Sequence, residues 1–226
     1  MPDLAHHPVA PALVSQPSLF GLGEPTFDPG FAQMTHVGLG MGAWLDLATG
    51  WLQGHEQAFD ALRTRLDWTT HRRPMYDRIV DVPRLLGSDP SAGAGHPVLA
   101  AASDALSARY GLPLDEISFA MYRDGRDSVA WHGDISGRTR TRSVVATVSL
   151  GQPRPFVLRP TPNAQTGPRS KPKCLRFELG HGDLVVMGGT IQRTWQHAVP
   201  KTARAGTRIV AMFRHRTEAP VPDHRY

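Results

Sequence analysis

The second half of this chain consists of short runs of β-forming residues separated by turn residues. There are seven such runs, the first of which begins at Ile117: ISFAMYR, SVAWHGD, SVVATVSLG, PFVLRP, CLRFELG, DLVVMGG and RIVAMFRHR. Runs of this length and spacing are typical of an antiparallel sandwich or barrel rather than of a parallel α/β sheet. We therefore predict an α+β fold whose core is a double-stranded β-helix, also called a jelly roll.

Two helices are predicted ahead of these strands, packed on one sheet. Apolar residues recur at helical spacing across a helix of about 52–66, namely Leu52, Phe59, Leu62 and Leu66. A second helix covers 97–111, with Pro97 in its first turn and Gly111 as the stop signal. The segment between them is basic and interrupted by Pro and Gly, so we predict an extended loop with at most one short strand there.

Composition limits the class of protein without giving a function. Residues 1–30 are rich in Pro, Gly and Ala and predict a disordered tail, which leaves 31–226 as one domain. The single cysteine, Cys174, excludes an internal disulfide, and no apolar run is long enough to span a membrane. We expect a cytoplasmic monomer. The net charge of +5 permits an anionic partner such as nucleic acid but does not require one.

A metal site is one interpretation of the sequence WHGD. Residues i and i+2 of a strand point to the same face, so His132 and Asp134 can present an imidazole and a carboxylate to one point. His197, in QRTWQHAVPK, offers a third ligand, and two histidines with one carboxylate are typical of non-haem Fe(II) sites. The alternative is that His132 caps a strand end and that His197 lies on a surface loop.

Two arginines occupy alternate positions of the last run, RIVAMFR. Arg208 and Arg214 are six residues apart, so on one strand both guanidinium groups face the same way, while Ile209, Ala211 and Phe213 face a core. Inward arginines are costly unless an anion pairs with them, which favours a dicarboxylate ligand or an arginine that braces a carboxylate. The alternative is a two-sided basic edge strand.

Three segments together resemble the AlkB family of Fe(II)- and 2-oxoglutarate-dependent dioxygenases. They are YRDGRDSVAWHGD, LGHGDLVVMGGTIQRTWQHAVPK and RIVAMFR, and the resemblance covers roughly residues 70–216. The strings DSV-x-WH-x-D and QH-x-VPK are most similar to members that repair alkylated nucleic acid. The resemblance implies that His132, Asp134 and His197 bind Fe(II).

The same resemblance assigns the co-substrate site and the reaction. It implies that Arg208 binds the distal carboxylate of 2-oxoglutarate together with the Tyr122 hydroxyl, and that Arg214 lies near the other end of the co-substrate. With O2 the enzyme would oxidise the N-alkyl group of a base such as 1-methyladenine or 3-methylcytosine, which is then lost as an aldehyde. The chain departs from the family at Ala120, where an asparagine amide is common, and at Ile135 and Ser136, where an acidic pair is common.

A lid over the site is expected at about 69–96, where PRL (83–85) resembles a family motif, because a base must leave the stack to be oxidised. Within it Tyr76 would stack on the base, and phosphates would be held by Arg72, Arg73, Arg78 and Arg84. The alternatives are that the tyrosine packs the lid onto the body and that the arginines form a solvated face. Trp131 and Trp195 are predicted to be core residues.

The tail contains QPSLF, which resembles the peptide that docks bacterial repair proteins on the sliding clamp. In that motif Gln16, Leu19 and Phe20 would fill pockets on the clamp, whereas the alternative is that they anchor the tail to the domain. The motif favours alkylated DNA over RNA as the substrate. Two rival functions remain open, namely a dioxygenase that acts on RNA, protein or a small molecule, and a non-catalytic jelly-roll binding module.

Overall fold

The computed structural model describes residues 23–75, 78–90, 94–134, 143–161 and 174–215, without the side chains of 73–75 and 78–81. The strands are β1 (Thr26–Phe27), β2 (Thr35–Gly40), β3 (Ala43–Ala48), β4 (Leu52–Gln53), β5 (Asp67–Met75), β6 (Arg78–Ser88), β7 (Glu116–Tyr122), β8 (Val129–His132), β9 (Ser143–Gly151), β10 (Arg154–Pro160), β11 (Leu175–Leu179), β12 (Leu184–Gly189), β13 (Trp195–Val199) and β14 (Arg208–Arg214). The helices are α1 (His55–Arg65), α2 (Pro97–Tyr110) and α3 (Ile191–Thr194).

Most strands form two antiparallel sheets. The major sheet has eight strands in the order β2-β3-β12-β9-β14-β7-β6-β5, and the minor sheet has four in the order β11-β10-β13-β8. Strands that follow one another in the chain repeatedly cross from one sheet to the other, which is the connectivity of a jelly roll. The predicted fold class is therefore confirmed.

Alternation along the strands of the major sheet produces two apolar clusters, one on each of its faces. On one face Ile209, Ala211 and Phe213 of β14 pack with apolar residues of α1 and α2, such as Leu62 and Leu106. The other face carries Tyr122, Val145, Met187 and Val210, which pack with Phe156, Leu158 and Val199 of the minor sheet. The two helices thus cover one side of the major sheet, as predicted, and the space between the sheets is left for the site.

The two long helices form where the sequence predicts them, except that α1 begins later than expected. α2 begins at Pro97 and ends before Gly111, which adopts the left-handed conformation (φ 64°) and donates its N–H to the Ser107 carbonyl. The first helix was predicted to begin at about residue 52, but Leu52 and Gln53 form β4 and pair with β1. Gly54, with φ 61°, turns the chain from that strand into α1, so the apolar pattern ran across two elements.

The segment predicted as an extended loop is a long hairpin, so that prediction is wrong. β5 and β6 pair from Asp67–Ser88 to Met75–Arg78, with a register shift between Thr70 and Arg72. Only Leu85, Leu86 and Gly87 of β6 pair with β7, so the distal part of the hairpin pairs with no other strand of the described chain. Pro74 and Pro83 did not prevent strand formation. In a two-stranded hairpin without a further neighbouring strand, fewer backbone N–H groups are needed for pairing, so a proline that lacks one is tolerated.

The domain begins before residue 31. Residues 23–30 were assigned to the tail, yet β1 lies within them, and the Trp51 indole donates to the Asp28 carbonyl at 2.8 Å. Phe27 and Phe31 pack against the Trp51 ring, with centroids 4.9 and 5.6 Å away. None of the helices in the described ranges has the length and apolarity that a bilayer crossing requires.

Candidate active site

His132 and His197 meet on the neighbouring strands β8 and β13 of the minor sheet. β13 pairs with β8 so that His197 stands directly opposite His132, and their ring centroids are 4.2 Å apart. The Nδ1 of His132 donates to the Ala130 carbonyl at 2.8 Å, which leaves Nε2 with its lone pair. His197 belongs to a strand and is 8% exposed, so the alternative that placed it on a surface loop is wrong.

Both imidazoles are held in the neutral form at pH 7. Burial lowers the pKa of His132 and, with the neighbouring His132 as a second cause, lowers that of His197 to about 4. A neutral imidazole is the form that binds a metal ion. The pair is therefore competent to act as ligands without losing a proton first.

Asp134 lies just beyond the end of β8 and faces Arg214. One carboxylate oxygen accepts from the Arg214 guanidinium at 3.2 Å, and the same guanidinium donates to the Ser118 hydroxyl at 2.7 Å. Burial alone would raise the pKa of Asp134, but the charge of Arg214 and its hydrogen bond act in the opposite direction, so the pKa is lowered and the carboxylate is ionised. Arg214 thus braces the carboxylate, one of the two roles expected for an inward arginine.

His132, His197 and Asp134 lie near one another but are not arranged as a complete set of metal ligands. In the part of the chain that the structure describes, no group of three or more His, Cys, Asp or Glu side chains is arranged to hold a metal ion as it stands. The structure brings the two imidazoles together and leaves the carboxylate on Arg214. The donor set of two neutral imidazoles and one ionised carboxylate, all within electrostatic reach of one another, nevertheless fits Fe(II).

Gly133 and Gln192 set the turn between the two WHGD ligands. A Cβ at position 133 would collide with the Gln192 backbone carbonyl, so only glycine allows α3 to approach this closely. The buried Gln192 side chain in turn accepts from the Asp134 N–H at 2.8 Å. Sequence reasoning missed Gln192, and no local signal could have found it, because the bond joins residues of distant segments.

Arg208 is fully buried at the start of β14 and has spare donors. It is 2% exposed and donates to the Ser149 hydroxyl at 2.8 Å, while its Nε and Nη1 find no partner among the described residues. Burial lowers the pKa of Arg208 to about 10, so the side chain is still charged at pH 7. A buried cation with two free donors is an anion site, and β14 lies between β9 and β7, so the alternative of a basic edge strand is wrong.

Tyr122 lies between Arg208 and a second buried arginine, Arg154. The two guanidinium carbons are 5.4 and 5.5 Å from the ring centroid of Tyr122. Arg154 is 0% exposed and was missed in the sequence, although it shares a strand face with Phe156 and Leu158 and could have been found by alternation. The walls nearby are apolar, because Ala120 presents a methyl group where an amide is common in the family.

The predicted lid residues are only partly within the described structure. Arg84 is partly buried on β6, and its charge is close enough to disfavour protonation of His132. Arg72 is exposed on β5. Tyr76 and the side chains of Arg73 and Arg78 lie outside the described residues, as do the tail residues Gln16, Leu19 and Phe20 and the pair Ile135 and Ser136.

The two tryptophans differ in their surroundings. Trp195 packs on the cluster between the sheets, as predicted. Trp131 was also predicted to be a core residue, but it is only partly buried, on the outer side of β8, where the Arg159 guanidinium covers its ring at 4.3 Å. That prediction is wrong because the surroundings of the ring are polar, since Arg159 covers it and donates to Gln196 of β13.

Curated relatives are similar in sequence to about half of the chain. Alpha-ketoglutarate-dependent dioxygenase alkB homolog 3 of Homo sapiens is 32% identical over 107 residues, which are 47% of this chain and 37% of the relative. DNA oxidative demethylase ALKBH2 of Arabidopsis thaliana is 37% identical over 120 residues, covering 46% of this chain and 38% of the relative. The match thus spans less than two fifths of each relative, and it confirms the resemblance to the AlkB family.

A solved structure supports the fold, and a family model covers the residues of the site. The structure of OsALKBH1 superposes with a TM-score of 0.50 at 15% identity, covering 81% of this chain and 100% of that chain, which supports the fold alone. Residues 90–221, more than half of the chain, match the model of the 2OG-Fe(II) oxygenase superfamily. This match includes all three candidate ligands and both inward arginines of β14. The chain belongs to the 2OG-Fe(II) oxygenase superfamily.

Proposed function

We propose that this protein is an Fe(II)- and 2-oxoglutarate-dependent dealkylase that acts on N-alkylated bases in DNA. The observation that carries the proposal is the pairing of His132 with His197 beside an ionised Asp134, with the uncompensated guanidinium of Arg208 buried nearby. Superfamily membership implies Fe(II), 2-oxoglutarate and O2. Relatives named as alkB homolog 3 and as a DNA oxidative demethylase favour alkylated nucleobases as substrates.

His132, Asp134 and His197 would hold the iron, which when bound with 2-oxoglutarate and O2 supplies the oxidising power for hydroxylation of an N-alkyl carbon. The bond between His132 Nδ1 and the Ala130 carbonyl keeps Nε2 available, and Arg214 keeps the Asp134 carboxylate ionised. The free Nε and Nη1 donors of Arg208 would bind a carboxylate of 2-oxoglutarate.

Substrate contacts would come from the β5–β6 hairpin, which includes most of the predicted lid. The Ser128 N–H donates to the Pro83 carbonyl at 2.7 Å, so the middle of β6 is tied to the turn that precedes β8. Arg84 is therefore held near His132, where it would meet a phosphate next to a flipped base. We propose Tyr76 as the stacking residue, with Arg72, Arg73 and Arg78 as further phosphate contacts.

The decisive experiment is formaldehyde release from an oligonucleotide that contains 3-methylcytosine. The protein is reconstituted anaerobically with Fe(II) and then given 2-oxoglutarate and O2, beside Asp134→Ala and the matched control Asp104→Ala, which removes an exposed carboxylate from α2. Release by the wild type and by Asp104→Ala, with none by Asp134→Ala, supports the proposal. Succinate without formaldehyde would leave the oxygenase chemistry standing and reject the substrate, whereas neither product would reject the enzyme.

The QPSLF motif of the tail is proposed to dock the enzyme on a bacterial-type sliding clamp. The support is the sequence alone, since Gln16, Leu19 and Phe20 lie outside the described residues. A peptide of residues 10–25 should bind such a clamp, and the same peptide with alanine at the Leu-Phe pair should not. Equal binding of both peptides would reject the clamp proposal and leave the enzymatic one untouched.

A further inference from the structure

Arg154 ties together backbone segments that lie far apart in the chain. Its guanidinium donates to the carbonyls of Asp124 at 3.0 Å, Asp127 at 2.8 Å and Pro200 at 2.9 Å. The side chain is 0% exposed, and among the described residues it has no carboxylate partner, because the nearby Asp127 carboxylate is bound by Arg123. A charged group this deeply buried is retained at a considerable desolvation cost, which a purely apolar residue would avoid.

The three carbonyls belong to the segments that carry the candidate iron ligands. Asp124 and Asp127 lie in the turn between β7, which ends at Tyr122, and β8, which ends at His132. Pro200 directly follows β13, which carries His197. The Arg154 guanidinium therefore bonds both to the turn that precedes β8, the strand of His132, and to the residue that follows β13, the strand of His197.

Backbone pairing alone defines the spacing of these two strands weakly. β13 and β8 are in register only at His197–His132 and Val199–Val129, with an irregularity between the two pairs. A bulge of this kind leaves a residue unpaired and loosens the local ladder. The bonds from Arg154 lie beyond the Val199–Val129 pair, so they hold the strand ends where the ladder is irregular.

The same side chain also touches the co-substrate side of the site. Its guanidinium carbon is 5.5 Å from the ring centroid of Tyr122, whose ring is 5.4 Å from the Arg208 guanidinium carbon. The Arg154 Nε has no partner among the described residues. Two buried cations around one tyrosine make a strongly positive environment next to apolar Ala120, which lacks an amide to share an anion.

We propose that Arg154 is a positioning residue that sets the spacing of the His132 and His197 strands and orients Tyr122 for an anionic co-substrate. The inference rests on the proposed function and deepens it, because it names the side chain that preorganises both halves of the site. Arg154 itself touches neither ligand ring directly. Outer-shell partners of metal ligands typically change metal affinity by about 10–100-fold when they are lost.

The test uses Co(II) and 2-oxoglutarate binding to the full chain, so no turnover is required. The variants are Arg154→Met, which keeps the length without donors, and Arg154→Lys, which keeps the charge but carries its donors on one nitrogen and lacks the planar fork of the guanidinium. Leu106→Ala serves as the destabilised control, because Leu106 is 0% exposed in the helical cluster away from the site. Visible absorption of Co(II) reports the geometry of the ligands, and titrations give both affinities at a temperature at which circular dichroism shows every variant folded.

Arg154→Met is expected to weaken Co(II) binding by about 10–100-fold and to change the Co(II) spectrum. Arg154→Lys, the variant to use if the methionine variant does not fold, should show the same altered spectrum but weaken 2-oxoglutarate binding less, because the charge near Tyr122 remains. Leu106→Ala should lose thermal stability with an unchanged spectrum. Variants of Arg154 that bind Co(II) with wild-type affinity and spectrum would overturn the inference, and a wild type that binds no Co(II) would instead overturn the proposed function.

Discussion

Replacing Arg208 by methionine should have opposite effects on stability and on co-substrate affinity. The two buried arginines form a natural pair for comparison, since Arg208 leaves Nε and Nη1 without partners, whereas Arg154 donates three bonds to backbone carbonyls. Methionine fills a similar volume and removes the charge. The free protein should therefore keep its stability in Arg208→Met and lose stability in Arg154→Met.

The magnitudes follow from the contacts of Arg208. Each of its two unpaired donors costs about 1–3 kcal/mol, and the bond to Ser149 contributes about 1.5–3 kcal/mol, because the donor is charged. Arg208→Met should thus leave the free energy of unfolding unchanged or raise it by about 1–2 kcal/mol. Removing one partner of a buried ion pair costs about 3–5 kcal/mol, so the Kd of 2-oxoglutarate should rise roughly 150- to 5000-fold.

Thermal unfolding with and without 2-oxoglutarate, in the presence of Mn(II), measures both effects. A gain of 1 kcal/mol shifts the Tm of a chain this size by about 2–4 °C, and a ligand that binds only the folded state raises the Tm further. The wild type should respond to 2-oxoglutarate, and Arg208→Met should not respond although its own Tm is equal or higher. A clear drop in the Tm of Arg208→Met without ligand, or an undiminished response to 2-oxoglutarate, would contradict the role of Arg208 as an unpaired cation that binds the co-substrate.

Three further perturbations test other parts of the site. Gly133→Ala should lower Co(II) affinity at least tenfold by calorimetry, because the added methyl group collides with a backbone carbonyl, whereas Gly38→Ala, which has open space around its Cβ, should not. The His181 Nδ1 accepts from the Gly151 N–H at 2.9 Å, and burial lowers the pKa of His181 below its usual value of 6.5. The unfolded state therefore binds more protons than the folded state at acidic pH, so stability should fall as the pH drops below 6.5. His181→Asn keeps an acceptor that cannot titrate and should lose less stability in urea unfolding between pH 7 and pH 5.5; an equal loss would contradict this. Arg84→Ala should raise the KM for a methylated oligonucleotide with little change in kcat and should reduce the salt slope of binding by about 1, and a fall in kcat alone would contradict a phosphate contact.

Much of the fold and of the site was predictable because the signals are local. The alternation of RIVAMFR placed Arg208 and Arg214 on one face and Phe213 on the other, and the structure confirms this arrangement. A period of two belongs to the strand itself, whatever its neighbours are. The capping of α2 by Pro97 and Gly111 was equally local and equally correct.

Predictions failed where the outcome depended on distant partners. The β5–β6 hairpin has the basic, proline-containing composition of a loop, and its strands form because they pair with each other and with β7. Trp131 was predicted to be a core residue on the strand face opposite His132, yet it is only partly buried, beneath the polar side chain of Arg159. Neither the order of strands in a sheet nor its edges can be read from a single run of residues.

Residue order alone indicates which side chains can meet, namely two imidazoles, a carboxylate and two arginines at strand spacing. The contacts that hold these side chains arise only in the folded chain. Folding placed the Asp134 carboxylate on Arg214, left two donors of Arg208 unpaired, and made Arg154 the tie between the His132 and His197 strands. The physical reason is that side-chain alternation is a property of consecutive residues, whereas burial and hydrogen-bond partners arise from segments that folding alone brings together.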